Sequence, residues 1–232
     1  MTSFEAPIEA GFVLHAWAVE NRPLFDPMLE QYAARLRETS SCTGARAFRL
    51  QRKPPGRPPG DLVEVLRESP RWSVAEVSPR FDAVLLAQFA NIDAARVHLE
   101  SADTARVIDE LASHATTSHV GVYRNIVRVG TVDEGAGPSY LFNFFYTDRP
   151  DTFLDTWKRT SHWFFRHTGL TSSFVLCDVD PDSRFPFVNH AHWHSLWRLV
   201  LSVVFRPSFR TQVLKPFIAA RMLPNSILYR ET

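Results

Sequence analysis

The stretch Tyr140-Leu-Phe-Asn-Phe-Phe-Tyr146, with Asp148-Arg149-Pro150 directly after it, sets the architecture, because its pattern also occurs earlier in the chain. The earlier copy is Phe12-Val-Leu-His-Ala-Trp-Ala-Val19, followed by Asn21-Arg22-Pro23. Each apolar run predicts a buried β-strand, and each Arg-Pro pair predicts the turn at which a helix begins. The two Arg-Pro pairs lie 127 residues apart. The chain therefore contains an internal repeat.

The remaining elements of the two copies follow in the same order. Thr43-Gly44 and Thr168-Gly169, 125 residues apart, predict the end of the first helix in each copy. The second strand of each copy is predicted at residues 45–51 and 171–177, and the third at residues 81–89 and 185–193. A second helical region follows in each copy, at residues 92–115 and 195–220, with breaks near Ser101 and Pro207. A last strand closes each copy, at Val122-Tyr123-Arg124 and at Leu228-Tyr229-Arg230.

The order β-α-β-β-α-β in each copy predicts a ferredoxin-like unit, an antiparallel four-stranded sheet with both helices on one face. The other face of each sheet must be covered, and two tandem units can cover each other. We therefore expect an α+β fold in which two tandem ferredoxin-like units pack sheet to sheet as a pseudo-dimeric α/β barrel. The first unit spans residues 1–129, with a Pro-rich insertion within 53–80, residues 130–138 form a linker, and the second unit spans 139–232.

Composition excludes several classes of protein. The 232 residues are 45% hydrophobic, and the net charge of +1 offers no basic field for a nucleic acid. Two cysteines without CxxC spacing argue against a disulfide scaffold or a structural zinc site. Residues 1–11 resemble no signal peptide, and the apolar stretch at 199–205 is too short to span a bilayer. We expect a soluble, cytoplasmic protein with neither a nucleic-acid nor a membrane partner.

Polar residues of chemical interest occur in Phe185-Pro-Phe-Val-Asn-His-Ala-His-Trp-His-Ser195. Because side chains alternate along a strand, Asn189 and Trp193 share one face. The opposite face carries His190, His192 and His194. A buried Asn beside a Trp has two interpretations of similar weight. It is either a structural hydrogen bond beside a core aromatic, or an amide aimed at a polar ligand next to a flat wall with an indole N–H.

The pattern F-V-N-x-A-x-W-x-S at residues 187–195, followed by a helix and a Phe-Arg pair, resembles the antibiotic biosynthesis monooxygenase (ABM) domain family. Within it, the pattern is most similar to the cofactor-independent monooxygenases that convert anthrone intermediates of aromatic polyketides into quinones. The resemblance covers residues 139–232, and residues 11–125 in layout only. It implies that Asn189, Trp193 and an Arg of the second helix, here Arg210, are catalytic and line a cavity between sheet and helices. It also implies that a homodimer could form.

The first repeat departs from this pattern. It has Leu85 and Phe89 at the positions of Asn189 and Trp193, although Arg106 aligns with Arg210. We therefore expect one active cavity per chain, in residues 139–232. The first repeat is expected to be structural or to complete the pocket.

Four further residues are candidates for substrate binding. Asn143 lies in an otherwise aromatic strand and is either a second pocket amide or, slightly favoured, a partner of the neighbouring strand. Trp157 and Phe164 belong to an aromatic helix that suits either core packing or a cavity for a flat polycyclic ligand. His162, on the same helix, is the candidate base.

Cofactors are not expected. The three-histidine face could hold a metal with Asp178, Asp180 or Asp182 upstream, but no thiolate or well-placed carboxylate completes the set. Haem degradation in this fold uses, by the family resemblance, a His on the second helix, and residues 195–220 contain none. Nucleotide-binding and hydrolase motifs such as GxGxxG and GxSxG are absent.

The sequence therefore predicts an enzyme, a cofactor-independent monooxygenase that oxidises a small aromatic, anthrone-like polyketide intermediate to a quinone with dioxygen as co-substrate. Two alternatives stay open. One is a polyketide cyclase of the same fold, and the other is a non-catalytic ligand-binding or interaction protein.

Overall fold

Eight antiparallel strands close into one barrel in the computed structural model, which describes residues 4–52, 78–130, 139–193 and 195–232. The strands of the first repeat are β1 (Gly11–Val19), β2 (Cys42–Arg52), β3 (Ala83–Phe89) and β4 (Ala115–Val129). Those of the second are β5 (Ser139–Thr147), β6 (Leu170–Asp178), β7 (Phe187–Trp193) and β8 (Met222–Glu231).

Helices cover the outside of the barrel. The first repeat supplies α1 (Arg22–Glu38), α2 (Ile92–Leu99) and α3 (Ala102–Ala112). The second supplies α4 (Phe153–Thr168), α5 (Leu196–Phe205), a π-helical turn (Arg210–Leu214) and α6 (Lys215–Ala219). None of the described helices is both long and apolar enough to cross a membrane.

The strand order around the barrel is β1-β3-β2-β8-β5-β7-β6-β4. Each repeat thus contributes four adjacent strands in the same ferredoxin-like order, β4-β1-β3-β2 and β8-β5-β7-β6. The repeats meet where β2 pairs with β8 and where β4 pairs with β6. The predicted fold is confirmed, and hydrogen bonding between the repeats leaves neither sheet with a free edge.

Alternation along the strands divides the barrel into two sides. Inward side chains such as Phe12, Leu14, Phe142 and Phe144 pack into one core inside the barrel. Outward side chains contact the helices. The outward residues of the first repeat pack directly on α1, as Trp17 does on Phe25 with ring centroids 5.4 Å apart.

The ends of the first helices differ between the repeats. In the second, Gly169 has a left-handed backbone (φ 71°) and ends α4 at Thr168, as expected. In the first, α1 ends earlier, at Glu38, because the extended backbone at Thr39 turns the chain and its N–H donates to the carbonyl of Leu36. Thr43-Gly44 lies within β2 at a bulge, so the prediction that it ends the helix is wrong.

The two predicted helix breaks are confirmed. The side chain of Ser101 caps α3 by accepting a hydrogen bond from the backbone N–H of Thr104 (3.3 Å). The α5 helix ends at Phe205, two residues before Pro207, since the residue preceding a proline disfavours helical backbone. Residues 131–138 of the predicted linker and most of the insertion predicted within 53–80 lie outside the described residues.

Candidate active site

A cavity of about 590 Å³ lies between the outward face of the second repeat's sheet and its helices. Its floor comes from β5 to β8, with Leu141 and Leu228 among the floor residues. Its roof comes from α4, α5 and the segment after α5, and includes Phe164, Leu199 and Phe217. This volume and apolar lining are typical of sites for small organic ligands.

Asn189 lies on the cavity floor, in β7, and is 6% exposed. Its Oδ1 accepts a hydrogen bond of 2.6 Å from the hydroxyl of Ser173 on the neighbouring strand β6. This bond fixes the orientation of the amide. Among the described residues, none accepts a hydrogen bond from Asn189 Nδ2, so its N–H groups are available to a ligand.

Asn143 lies directly opposite Asn189 in the pairing of β5 with β7, and it also lines the cavity. Its Oδ1 is buried and has no hydrogen-bond partner. The slightly favoured expectation that this side chain bonds the neighbouring strand does not match this geometry. An unpaired buried carbonyl is costly. Because Asn143 lines the cavity, a rotation of its side chain would bring this oxygen to a ligand hydroxyl and satisfy it. The two amides thus offer an acceptor and a donor side by side.

Trp193 forms part of the wall and is 2% exposed. Its indole N–H donates to Thr168 Oγ1 (2.9 Å), and the Thr168 hydroxyl in turn donates to the carbonyl of Phe164 (2.7 Å). The expectation that this N–H is available to a ligand is therefore wrong. Trp193 supplies a fixed flat surface, and the hydrogen-bond chain holds β7 against the end of α4.

Two of the three predicted residues on α4 line the cavity. Trp157 and Phe164 contribute to the lining, together with Ser161. His162 is half-buried and is not a lining residue. The cavity face of a helix recurs every three to four residues, and His162 lies about 100° around the helix from Ser161. The expectation that His162 reaches the cavity as a base is therefore wrong.

Arg210 is also placed away from the cavity. It is exposed, and it begins the π-helical turn, whereas Phe209 just before the turn and Val213 within it line the cavity. The preceding residues are anchored because the indole N–H of Trp163 donates to Ser208 Oγ (3.0 Å). A residue next to Phe209 lies about 100° around the helix, which turns Arg210 towards solvent. The expectation that Arg210 lines the cavity is wrong.

The cavity is consequently neutral. None of its described lining residues is an Asp, Glu, His, Cys, Lys or Arg. Its polar groups are amides and hydroxyls, and the hydroxyls of Thr160 and Ser161 donate to carbonyls of their own helix. The lining therefore offers no side-chain base and no set of metal ligands.

The histidines of β7 face the other way, as the alternation predicted. His190 is 2% exposed in the barrel interior and stacks on Phe142, with centroids 4.3 Å apart. Burial in this apolar environment lowers the pKa of His190 well below its usual value. His194 lies outside the described residues. Among the described ones, no group of three or more His, Cys, Asp or Glu side chains could hold a metal.

Three residues of the site were missed from the sequence. The face alternation of β6 could have indicated Ser173, and Thr168 was seen only as part of a helix end. Ser78 comes from the first repeat and lines the cavity. Next to it, the carbonyl of Pro79 accepts a hydrogen bond of 2.8 Å from Asn225. The first repeat therefore contributes to the cavity, which no local pattern indicates.

The first repeat places different side chains at the equivalent positions. His15 pairs with Leu85 between β1 and β3, as Asn143 pairs with Asn189 between β5 and β7. His15 is 1% exposed, and both ring nitrogens are buried without a hydrogen-bond partner. Its ring stacks on Trp17 at 5.3 Å. The amide pair is therefore confined to the second repeat.

Comparison with known proteins shows the fold. No protein-family model and no curated protein matches the sequence. Among solved structures, an anthrone oxidase-like protein matches with a TM-score of 0.69 and 9% identity, covering 99% of this chain and 94% of its own. A predicted monooxygenase from Fusobacterium nucleatum has a TM-score of 0.59 and 7% identity, covering 96% and 92%. A predicted monooxygenase from Lactobacillus acidophilus has a TM-score of 0.52 and 9% identity, and the match covers 98% of this chain and 94% of that protein. The chain therefore shares the fold of an anthrone oxidase-like protein and of predicted monooxygenases.

Proposed function

We propose that this protein is a cofactor-independent monooxygenase that converts an anthrone-like phenolic polycycle into a quinone with dioxygen. The observation that carries the proposal is the neutral, largely apolar cavity whose ligand-directed polar groups are Asn143 and Asn189. A flat polycycle with a carbonyl beside a phenolic hydroxyl matches this acceptor and donor. The shared fold with an anthrone oxidase-like protein supports the same substrate class.

The chemistry draws its electrons from the substrate. The ring methylene loses a proton to solvent, and the resulting carbanion delocalises its charge onto the ring oxygen. Dioxygen adds at the carbon, and the peroxide loses water to leave a carbonyl. In balance, one CH₂ and one O₂ give one C=O and one H₂O. The two electrons that reduce the second oxygen atom come from the CH₂ group.

In this scheme Asn189 donates from Nδ2 to the ring oxygen on which charge develops. Asn143 Oδ1 accepts the adjacent phenolic O–H, and Trp193 fixes the plane of the rings. One preorganised donor of this kind contributes on the order of 10²-fold to the rate in other enzymes. Because no cation lines the cavity, we expect a modest acceleration over spontaneous oxidation.

The test is oxygen uptake by metal-stripped protein with a dihydroxyanthrone, measured against the spontaneous reaction at the same pH. We expect faster uptake, one O₂ per quinone formed, and a product that has gained one oxygen and lost two hydrogens. A product that has lost only water would identify a cyclase instead. Uptake no faster than the spontaneous reaction would contradict the proposal.

The second candidate is a non-catalytic binding protein for an aromatic ligand. It is favoured by the absence of any titratable side chain among the described lining residues. Titration of the quinone product distinguishes the two, since a binding protein would saturate with it while leaving the rate of anthrone oxidation unchanged. Cytoplasmic location and homodimer formation stay predictions from the sequence.

A further inference from the structure

The α5 helix carries a row of exposed apolar side chains on its outer face. Trp197, Leu201, Val204 and Phe205 are 74%, 50%, 58% and 73% exposed, respectively. Their spacing of four, three and one residues places all four along one side of the helix. We call these four residues the apolar stripe. Half of the exposed large hydrophobic side chains of the described residues lie in it, so the patch is not scattered surface hydrophobicity.

Positive charge surrounds the apolar stripe. Arg198 lies on α5, Arg206 directly follows it, and Arg210 begins the π-helical turn after it; all three are exposed. Between Ser183 and Arg230 the sequence contains seven basic residues and no acidic one. Of these seven, Arg221 forms a salt bridge with Asp148. An apolar row beside exposed basic side chains is the pattern of helices that lie at the interface of anionic membranes.

The same helix also forms the roof of the candidate site. Leu199, Val200 and Val203 line the cavity from the inner side of α5, and Val204 belongs both to the lining and to the apolar stripe. The α5 helix therefore has the cavity on its inner side and the apolar stripe on its outer side. The helix is held at one point by Ser202, whose hydroxyl donates to the carbonyl of His167 on α4 (2.7 Å).

We propose that the apolar stripe docks this protein on an anionic lipid surface. The docking stands on the stripe alone; resting on the proposed function, a sparingly soluble polycyclic ligand would then pass between bilayer and cavity along α5. Trp197 and Phe205 insert at the headgroup level, and the arginines bind lipid phosphates. This peripheral contact needs no membrane-spanning helix, and it differs from the prediction made from the sequence that the chain has no membrane partner.

A second copy of the chain fits the stripe less well. An interface between identical patches would bring the arginines of one copy against those of the other, and like charges across an interface are unfavourable. The apolar stripe itself contains no polar side chain that would pair with a protein partner. A bilayer requires no such pairing.

The test is flotation of the full chain with phosphatidylcholine vesicles, with and without added phosphatidylglycerol. We expect binding to the anionic vesicles, and loss of most of it when the salt rises from about 0.1 M to about 1 M, because the Debye length falls from about 10 Å to about 3 Å. Trp197→Ser combined with Phe205→Ser should weaken binding at least about tenfold. Both side chains are exposed, so the variant should unfold at the temperature of the parent protein.

Val97→Ser is the matched control, because Val97 is 71% exposed on α2 of the first repeat, outside the stripe. We expect its vesicle binding to equal that of the parent. Arg198→Gln combined with Arg206→Gln should remove the preference for anionic vesicles. The proposal is overturned if the parent protein does not float with either vesicle, or if the serine variant only converts a dimer into a monomer in sedimentation.

Discussion

Asn143 and Asn189 face each other across β5 and β7, with one amide oxygen unpaired and the other held by Ser173. This asymmetry turns two identical side chains into an acceptor and a donor. It also separates the second repeat from the first, where His15 and Leu85 occupy the same pair of positions. The chemistry proposed for the cavity depends on this pair.

Ser173→Ala should weaken ligand binding by releasing the Asn189 amide, although Ser173 also lines the cavity. The variant loses the hydrogen bond that orients the Asn189 amide, a bond contributing about 1 kcal/mol. We expect the Kd for a quinone ligand to rise about five- to tenfold, measured by tryptophan fluorescence quenching. Ser173→Thr, which keeps the hydroxyl, should restore most of the affinity. Equal affinity in the parent and alanine proteins would contradict the positioning role.

Asn143→Leu should stabilise the fold and weaken ligand binding. The buried Oδ1 has no partner, so its replacement by an apolar side chain removes a desolvation cost of about 1–2 kcal/mol. We expect the free energy of unfolding in urea to rise and the affinity for a phenolic ligand to fall. A loss of stability would show that Asn143 bonds within the fold.

Trp193→Phe and Thr168→Val should destabilise the protein through the same hydrogen bond. Thr168→Val leaves the buried indole N–H unpaired, at a cost of about 1–3 kcal/mol, whereas Trp193→Phe removes the same bond but leaves the Thr168 hydroxyl donating to Phe164. In a double-mutant cycle monitored by urea unfolding, we expect a coupling of about 1 kcal/mol. Additive effects would indicate that the indole N–H is not committed to Thr168.

Stability should fall as the pH drops from about 6.5 to 3. Burial, followed by the nearby His98 and His119, lowers the pKa of His15 to about 3. In this window the unfolded chain binds a proton at residue 15 and the folded chain does not. The free energy of unfolding therefore falls by up to about 1.4 kcal/mol for each unit by which the pH is lowered, through this group alone. His15→Phe should reduce the slope of unfolding free energy against pH by that amount. An unchanged slope would mean that His15 titrates normally.

The fold was predictable because it depends on patterns that the chain repeats. Alternating strands, Arg-Pro pairs at helix starts and matching intervals specify each unit. Because the open face of each sheet must be covered, two tandem units have few ways to pack other than against each other. The helix end at Thr43-Gly44 failed because the same dipeptide serves as a helix cap in one repeat and as a β-bulge in the other. A local pattern cannot distinguish these uses.

The site was predictable where strand alternation governs it and not where helix rotation does. Asn189 and Trp193 face the cavity because a strand has only two faces. Arg210 and His162 were misplaced because a shift of one residue turns a helical side chain by about 100°. The π-helical turn that begins at Arg210 leaves no distinct signal in the sequence. Ser78 was missed because it belongs to the first repeat, and no pattern within the second repeat indicates it.

The most direct test of the central claim is the rate of oxygen uptake with a dihydroxyanthrone by metal-stripped Asn189→Ala and Arg210→Ala proteins. The cavity geometry predicts that Asn189→Ala loses about 10- to 100-fold of the acceleration over the spontaneous reaction, while Arg210→Ala keeps it. Circular dichroism and unfolding temperature would confirm that both variants fold. Full activity in Asn189→Ala, or its loss in Arg210→Ala, would contradict the account.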